Sequence, residues 1–390
     1  MKWEKVKLGE VVDTCLGKML DKEKNKGDYQ PYLANIDVRW GSFNLENLSQ
    51  MKFEEHEEER YGLKYGDLII CEGGEPGRCA LWKNEIPNMK FQKALHRVRP
   101  HSCLDNVYLY YWFLHAGKTG ALEQYFTGAT IKHMPGDKLK SVLIDLPPMR
   151  TQKRIASILS AYDDLIENNK KQIKLLEEAA QRLYKEWFVD LRFPGHENVP
   201  VVDGVAEGWS VKTLGDIADI VMGQSPKSEF YNQEGEGLPF HQGVGSYGCR
   251  FAVDNTFTTS YTRIAQAGSI LFSVRAPVGR LNITKNKIVI GRGLAAISDK
   301  RGFQSFLFYM LKERFFKDDI VGNGSIFASI SKDELLNQKF ILANVELIEK
   351  FNNYASELDR KLAGLDKQIQ LFVETRDRLL SKLMSGEIEV

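Results

Sequence analysis

The stretch from Arg150 to Phe188 contains neither Gly nor Pro and is rich in residues that favour helix. Stepping alternately by four and three gives Ile155, Leu159, Tyr162, Ile166, Asn169, Ile173, Leu176, Ala180, Leu183 and Trp187, apolar everywhere except Asn169. A helix of this length extends roughly 55 Å at ~1.5 Å per residue. Its apolar seam has to be covered by a second helix. The same chain supplies one. The seam repeats 196 residues later as Phe351, Ala355, Leu358, Leu362, Leu365, Ile369, Phe372, Arg376, Leu379 and Leu383, again with one polar break. Asp163/Asp359, Lys171/Lys367, Gln172/Gln368, Ile173/Ile369, Arg182/Arg378 and Leu183/Leu379 are identical at that offset.

The repeat extends beyond the helices. Trp3-Glu4-Lys5-Val6-Lys7-Leu8-Gly9-Glu10 returns as Trp209-Ser210-Val211-Lys212-Thr213-Leu214-Gly215-Asp216. Gly66 to Ile70 matches Gly268 to Phe272, a short buried strand after a turn, and Gly77-Arg78 matches Gly279-Arg280. Leu109-Tyr110-Tyr111 matches Leu307-Phe308-Tyr309 inside aromatic, helix-like segments at about 105–116 and 303–316, and Thr127 to Ile131 matches Asn323 to Phe327. A period this long is a duplicated domain, not a solenoid. Within each copy, short β-rich runs alternate with Gly-bearing turns before a late helix, so the fold class is α+β. The pattern divides the chain into a globular domain at 1–148, a long helix at 149–190, a linker at 191–208, a second globular domain at 209–344 and a second long helix at 345–386. Two-fold related repeats predict an antiparallel coiled coil. At full overlap Tyr162 lies level with Arg376, and Asn169 with Ile369.

Composition narrows the class. The chain is 43% hydrophobic and 27% charged, with no apolar run long enough to span a membrane and no leader-like start. Five scattered cysteines without a CxxC pair suggest reduced thiols in a cytoplasm. Fifty-three basic and 52 acidic residues nearly balance, so any nucleic-acid binding needs locally concentrated charge. Gly117-Lys118-Thr119 lacks the leading glycine of a phosphate loop, since position 112 is Trp. Asp145-Leu146-Pro147-Pro148 is superficially like an amino-methyltransferase motif, but no glycine-rich cofactor loop accompanies it, and the Pro pair suits a strand-to-helix hinge. The histidines show no metal-ligand spacing. The acidic run Glu54 to Glu59 reads as a solvated loop or helix face.

Two segments stand out against the balanced charge. No acid lies between Glu85 and Asp105, and none between Asp254 and Asp299. Around the first, Arg78, Lys90, Gln92, Lys93, Arg97 and Arg99 are candidates to contact DNA; around the second, Arg263, Arg275, Arg280, Lys285, Lys287 and Arg292. Such groups bind phosphates or base edges. The plainer alternative is a sheet face with basic loops.

The segment from Leu146 to Gly195, with Pro147, Gln152, Ile155, Asp163-Asp164-Leu165-Ile166 and Leu183, resembles the central conserved region of the specificity subunits of type I restriction–modification systems. The ending Leu379 to Ile388 is similar to that family's second conserved region, although Val345-Glu346-Leu347 replaces the prolyl, Gln-bearing start. The resemblance implies a non-catalytic subunit whose two target recognition domains each read half of a split, asymmetric DNA sequence. The helices are then a spacer and the docking surface for two modification subunits. S-adenosylmethionine would belong to those partners, ATP and Mg to partner complexes that include restriction subunits, and this chain would hold no cofactor. A diverged methyltransferase or nuclease, or a coiled-coil adaptor for proteins, are the other classes.

Overall fold

The computed structural model describes residues 3–21, 25–315 and 329–390. The stretch Asn323 to Phe327, matched above to Thr127 to Ile131, lies outside the described residues, as does position 316 at the end of the second aromatic segment. The chain forms two compact units, one of Met1–Leu165 with Phe372–Val390 and the other of Ile166–Leu371. This differs from the division read in the sequence. The long helices Met149–Phe188 and Val345–Met384 are single elements, but each contributes part of its length to each unit.

In the first unit a four-stranded sheet has the order Val12–Leu16, Leu95–Pro100, Leu68–Cys71, Cys79–Leu81. Leu68–Cys71 is continuously apolar because both of its faces are covered. Leu68 and Ile70 point to one cluster with Tyr108, Leu109 and Phe113 of the helix Asn106–Lys118. Ile69 and Cys71 point to another with Trp82 and Phe91. The helix is buried on nearly every side, which explains its aromatic run. Asp105 caps it by accepting hydrogen bonds from the amides of Val107 and Tyr108. A second sheet orders Gln50–Phe53, Asp28–Leu33 and Lys90–Phe91. Glu4–Lys7 pairs antiparallel with Leu143–Leu146, which leads through Pro147 and Pro148 into the first long helix. The buried Gln152 clamps that entry: its Oε1 accepts from the Asp105 amide at 2.8 Å, and its Nε2 donates to the carbonyls of Pro147 at 2.8 Å and Cys103 at 3.0 Å.

The second unit repeats this plan. Its four-stranded sheet orders Ala218–Met222, Leu294–Asp299, Ile270–Ser273 and Leu281–Ile283. A five-stranded sheet holds Leu238–His241 parallel to Ile288–Ile290, the counterpart of Asp28–Leu33 beside Lys90–Phe91. Ser210–Thr213 pairs with Lys339–Leu342, and Gln304–Phe315 is the aromatic helix. The junction 191–208 is not a bare linker. Val201–Val202 and Val205–Ala206 form a hairpin, and Phe193 and Ala206 are buried in this unit's core. The Phe193 ring lies 5.5 Å from that of Trp209. Two apolar anchors outweigh the Pro and Gly content that suggested a loose connection.

Every expected helix-pairing residue is buried or half-buried. In the first unit Ile155, Leu159, Leu379 and Leu383 share one core. There Tyr162 packs edge-on to Phe372 with ring centroids 6.3 Å apart, and Arg376 Nη1 donates to Asp163 at 2.6 Å. In the second unit Ile166 is buried, and Ile173, Leu176 and Leu183 share a core with Leu358, Leu362, Leu365 and Ile369. Asn169, the polar break, donates to Gln368 at 3.0 Å, whereas Trp187 meets Phe351 with centroids 6.0 Å apart. Ascending one helix in this unit therefore means descending the other.

The duplicated aspartates tie each domain to the helices. Asp163 accepts from Tyr111 Oη at 2.6 Å as well as from Arg376. Asp359 accepts from Arg250 Nη2 and Ser305 Oγ, each at 2.6 Å. Arg250 is 1% exposed, also donates to Glu177 at 3.1 Å, and holds its guanidinium carbon over Phe308 at 3.5 Å from the ring centroid.

Candidate nucleic-acid interface

The first acid-free segment does not present most of its charge to solvent. Lys90 is 0% exposed, pairs with Glu58 at 2.5 Å and donates to the Asn88 carbonyl at 2.9 Å. Arg97 is buried and donates to the carbonyls of Arg60 at 2.8 Å and Gly62 at 3.1 Å, and burial lowers its pKa. Arg99 forks onto Asp67 through Nε at 2.6 Å and Nη2 at 2.9 Å. Arg78 reaches the Asn35 side chain at 2.9 Å and Glu75 at 3.1 Å. Lys90 and Arg97, expected to contact DNA, are instead buried and held by groups inside the unit, and Arg99 and Arg78 are committed to partners there as well. Counting charges along the sequence misleads here, because the fold brings in acids from elsewhere. The run Glu54 to Glu59 is one source: Glu58 meets Lys90, and Glu57 meets the buried Lys18, so it is not simply a solvated face. Hydrogen bonding to Lys18 lowers the Glu57 pKa even though burial acts to raise it. Of the six candidates, Lys93 is exposed and Gln92 half-buried.

The second segment behaves differently. Lys285 is held by Asp366 at 2.8 Å. Arg280 is half-buried and lines a cavity of about 840 Å³ with Glu177, Arg250 and Lys312. Arg263, Arg275, Lys287 and Arg292 are exposed, and among the described residues their side chains have no hydrogen-bond or ion-pair partner. Arg275 and Arg292 share one cleft of about 370 Å³ with Gln242, Gly243, Val244 and Ser273. Free guanidinium groups beside a polar groove suit phosphate oxygens and the O6/N7 edge of guanine. Gln242 lies outside the acid-free segment, so charge alone could not find it. The usable signal was its place in the Gln242-Gly243 turn directly after a strand.

The loop carrying Gln242 is pinned from below. His241 is 1% exposed; its Nε2 donates to Asp254 at 2.8 Å, and Ser246 Oγ faces its Nδ1 at 2.7 Å. The carboxylate can only accept, which fixes the proton on Nε2. Asn286 donates to the other Asp254 oxygen at 2.6 Å. Burial acts to raise the Asp254 pKa, but the bonds from His241 and Asn286 outweigh it, so the net shift is downward. Among the described residues no three His, Cys, Asp or Glu side chains are grouped as a metal site would need, and no helix is long and apolar enough to cross a membrane.

The model of the type I restriction modification DNA specificity domain matches twice, at residues 1–178 and 206–369. A protein of Methanocaldococcus jannaschii named as the MjaX specificity subunit of a type I restriction enzyme is 30% identical over 85% of this chain and 80% of its own length. The MjaIX specificity subunit of the same organism is 28% identical over 83% of this chain and 78% of its own. Among solved structures, the S subunit of a type I restriction–modification system from M. genitalium shares the fold, with a TM-score of 0.55 and 19% identity, over 98% of this chain and 96% of that one. With both halves matched by one domain model, the chain belongs to the family of type I restriction–modification DNA specificity subunits.

Proposed function

We propose that this chain is the target-reading subunit of a type I restriction–modification complex, a non-catalytic protein that binds a two-part, asymmetric DNA sequence and directs methylation and restriction by its partners. The observation that carries the reading is the duplication itself. One domain model matches both halves, yet the two domains carry different exposed side chains on a common plan, as reading two different half-sites requires. The cleft between Arg275 and Arg292 is the site we assign to one half. Opposite helix directions in the second unit, and the seam residues packed in both, support an antiparallel coiled coil acting as spacer and as docking surface for two modification subunits. S-adenosylmethionine is assigned to those subunits, ATP and Mg to partner complexes with restriction subunits, and the compartment to the cytoplasm.

The test is to express the chain with its modification subunit in a methylation-free host and sequence the modified bases. An interrupted motif with two unlike halves is expected. A complex that forms but leaves the genome unmodified would sink the reading, and S-adenosylmethionine binding by this chain alone would favour an enzyme.

A further inference from the structure

The two units build the same backbone frame around the cleft. In the first, the Gln92 amide donates to the Leu33 carbonyl at 2.9 Å and the Glu72 amide to the Ala94 carbonyl at 2.9 Å. In the second, the Gly291 amide donates to the His241 carbonyl at 2.8 Å and the Val274 amide to the Gly293 carbonyl at 2.9 Å. Isolated bridges continue the match, Gly73 to His133 and Arg275 to Ser329. Position by position, Ala34 then stands where Gln242 does, Gly73 where Arg275 does, and Lys93 where Arg292 does. The frame is common, and what projects from it differs.

The second frame also fixes how closely two of its side chains stand. A Cβ on Gly291 would lie 3.1 Å from the Gln242 Cα and 2.9 Å from Ser225 Oγ, and one on Gly293 would lie 2.3 Å from the Gln242 carbonyl oxygen. Only glycine fits at 293, and a side chain at 291 would press on Ser225 and Gln242. The Gln242 backbone is therefore seated against the Gly291-Arg292-Gly293 turn, with the Gly293 amide donating to its carbonyl at 3.1 Å. His241, held between Asp254 and Ser246, fixes the backbone immediately before Gln242.

We propose that Gln242 is a specificity-determining residue that reads a base edge in the half-site of the second domain, with His241 as its positioning residue. This rests on the target-reading function proposed above. A carboxamide carries donor and acceptor side by side, the pattern that pairs with the N6/N7 edge of adenine. The flanking Arg292 and Arg275 supply the phosphate or guanine contacts that hold the duplex against it.

The experiment is the methylated-motif readout, with the full chain and its modification subunit. Gln242→Ala is expected to relax one base position in one half of the motif, lowering discrimination there by about 10-fold or more, with the other half and the spacing unchanged. Gln242→Glu should move that position toward a base that presents a donor, as cytosine does through N4. His241→Ala should relax the same position; a role in stability alone would lower methylation everywhere and leave the motif intact. An unchanged motif in both Gln242 variants overturns the proposal and leaves the target-reading function standing. A wild-type complex with no two-part motif overturns that function itself. Since Gln242 is exposed, its variants decide the matter even if the His241 variant does not assemble.

Discussion

Arg97 and Arg292 carry the same charge and face opposite fates. Arg97 is buried under the carbonyls of residues 60 and 62, whereas Arg292 stands free at a groove. Arg97→Ala should therefore lower the stability of the first domain by about 1–3 kcal/mol, since it removes a buried side chain that lies over the Phe91 ring and donates to the carbonyls of residues 60 and 62; urea denaturation would show it. Arg292→Ala should leave the denaturation midpoint unchanged and weaken DNA binding by the complex, by ~1–3 kcal/mol if it reads a base. If it holds a phosphate instead, the salt dependence of binding becomes shallower. Acid should act through Asp254. Its carboxyl titrates below the usual range, so its stabilising contribution is complete above that range and is lost as pH falls through the lowered pKa. The melting temperature should drop below about pH 4, and Asp254→Asn should reduce that dependence. Sequence reading located the two basic segments but could not separate Arg97 from Arg292. The difference lies in Glu58, Asp67 and the carbonyls of residues 60 and 62, which become neighbours only on folding.

The long helices were legible because a heptad seam is a local property: each apolar residue predicts the next by spacing alone. Their polar breaks were less so. Asn169 finds Gln368, and Arg376 finds Asp163, one residue away from the partners expected at full overlap. The aspartates at 163 and 359 looked like repeat identities, but their use is an attachment between helix and domain. Asp359→Ala should destabilise the second unit by about 3 kcal/mol or more, because Arg250 keeps its charge in the interior with one carboxylate fewer. A loss of unfolding free energy well under ~1 kcal/mol would contradict this. Segment 191–208 was misjudged for the opposite reason. Its few apolar residues have no periodicity, and only the core they enter reveals them.

The whole chain is two repeats of one domain and one helix, and the first repeat alone exposes a seam that needs covering. Residues 1–195 should pair with a second copy of themselves, since burying several large side chains at ~1.5–3 kcal/mol each can offset the entropy of association. Light scattering should give a dimer. With the modification subunit, the fragment should methylate an interrupted palindrome built from one half of the natural motif. A monomer, or the original asymmetric motif, would argue against equivalent repeats. The duplication was readable because Trp3 to Glu10 and Trp209 to Asp216 kept their spacing; the differing reading faces were not, because they lie where the copies diverge.

The alternation at Gly291, Arg292 and Gly293 has a consequence for descent. Two of the three positions admit no side chain without displacing Gln242 or Ser225, and the side chain between them has no hydrogen-bond or ion-pair partner among the described residues. On the proposal above, substitution there alters a DNA contact at little cost to folding, while a side chain on either side presses on Gln242 or Ser225. A lineage carrying this frame can vary its DNA contact at position 292 without disturbing the fold, and its sequence should keep glycine at 293 beside a variable position 292.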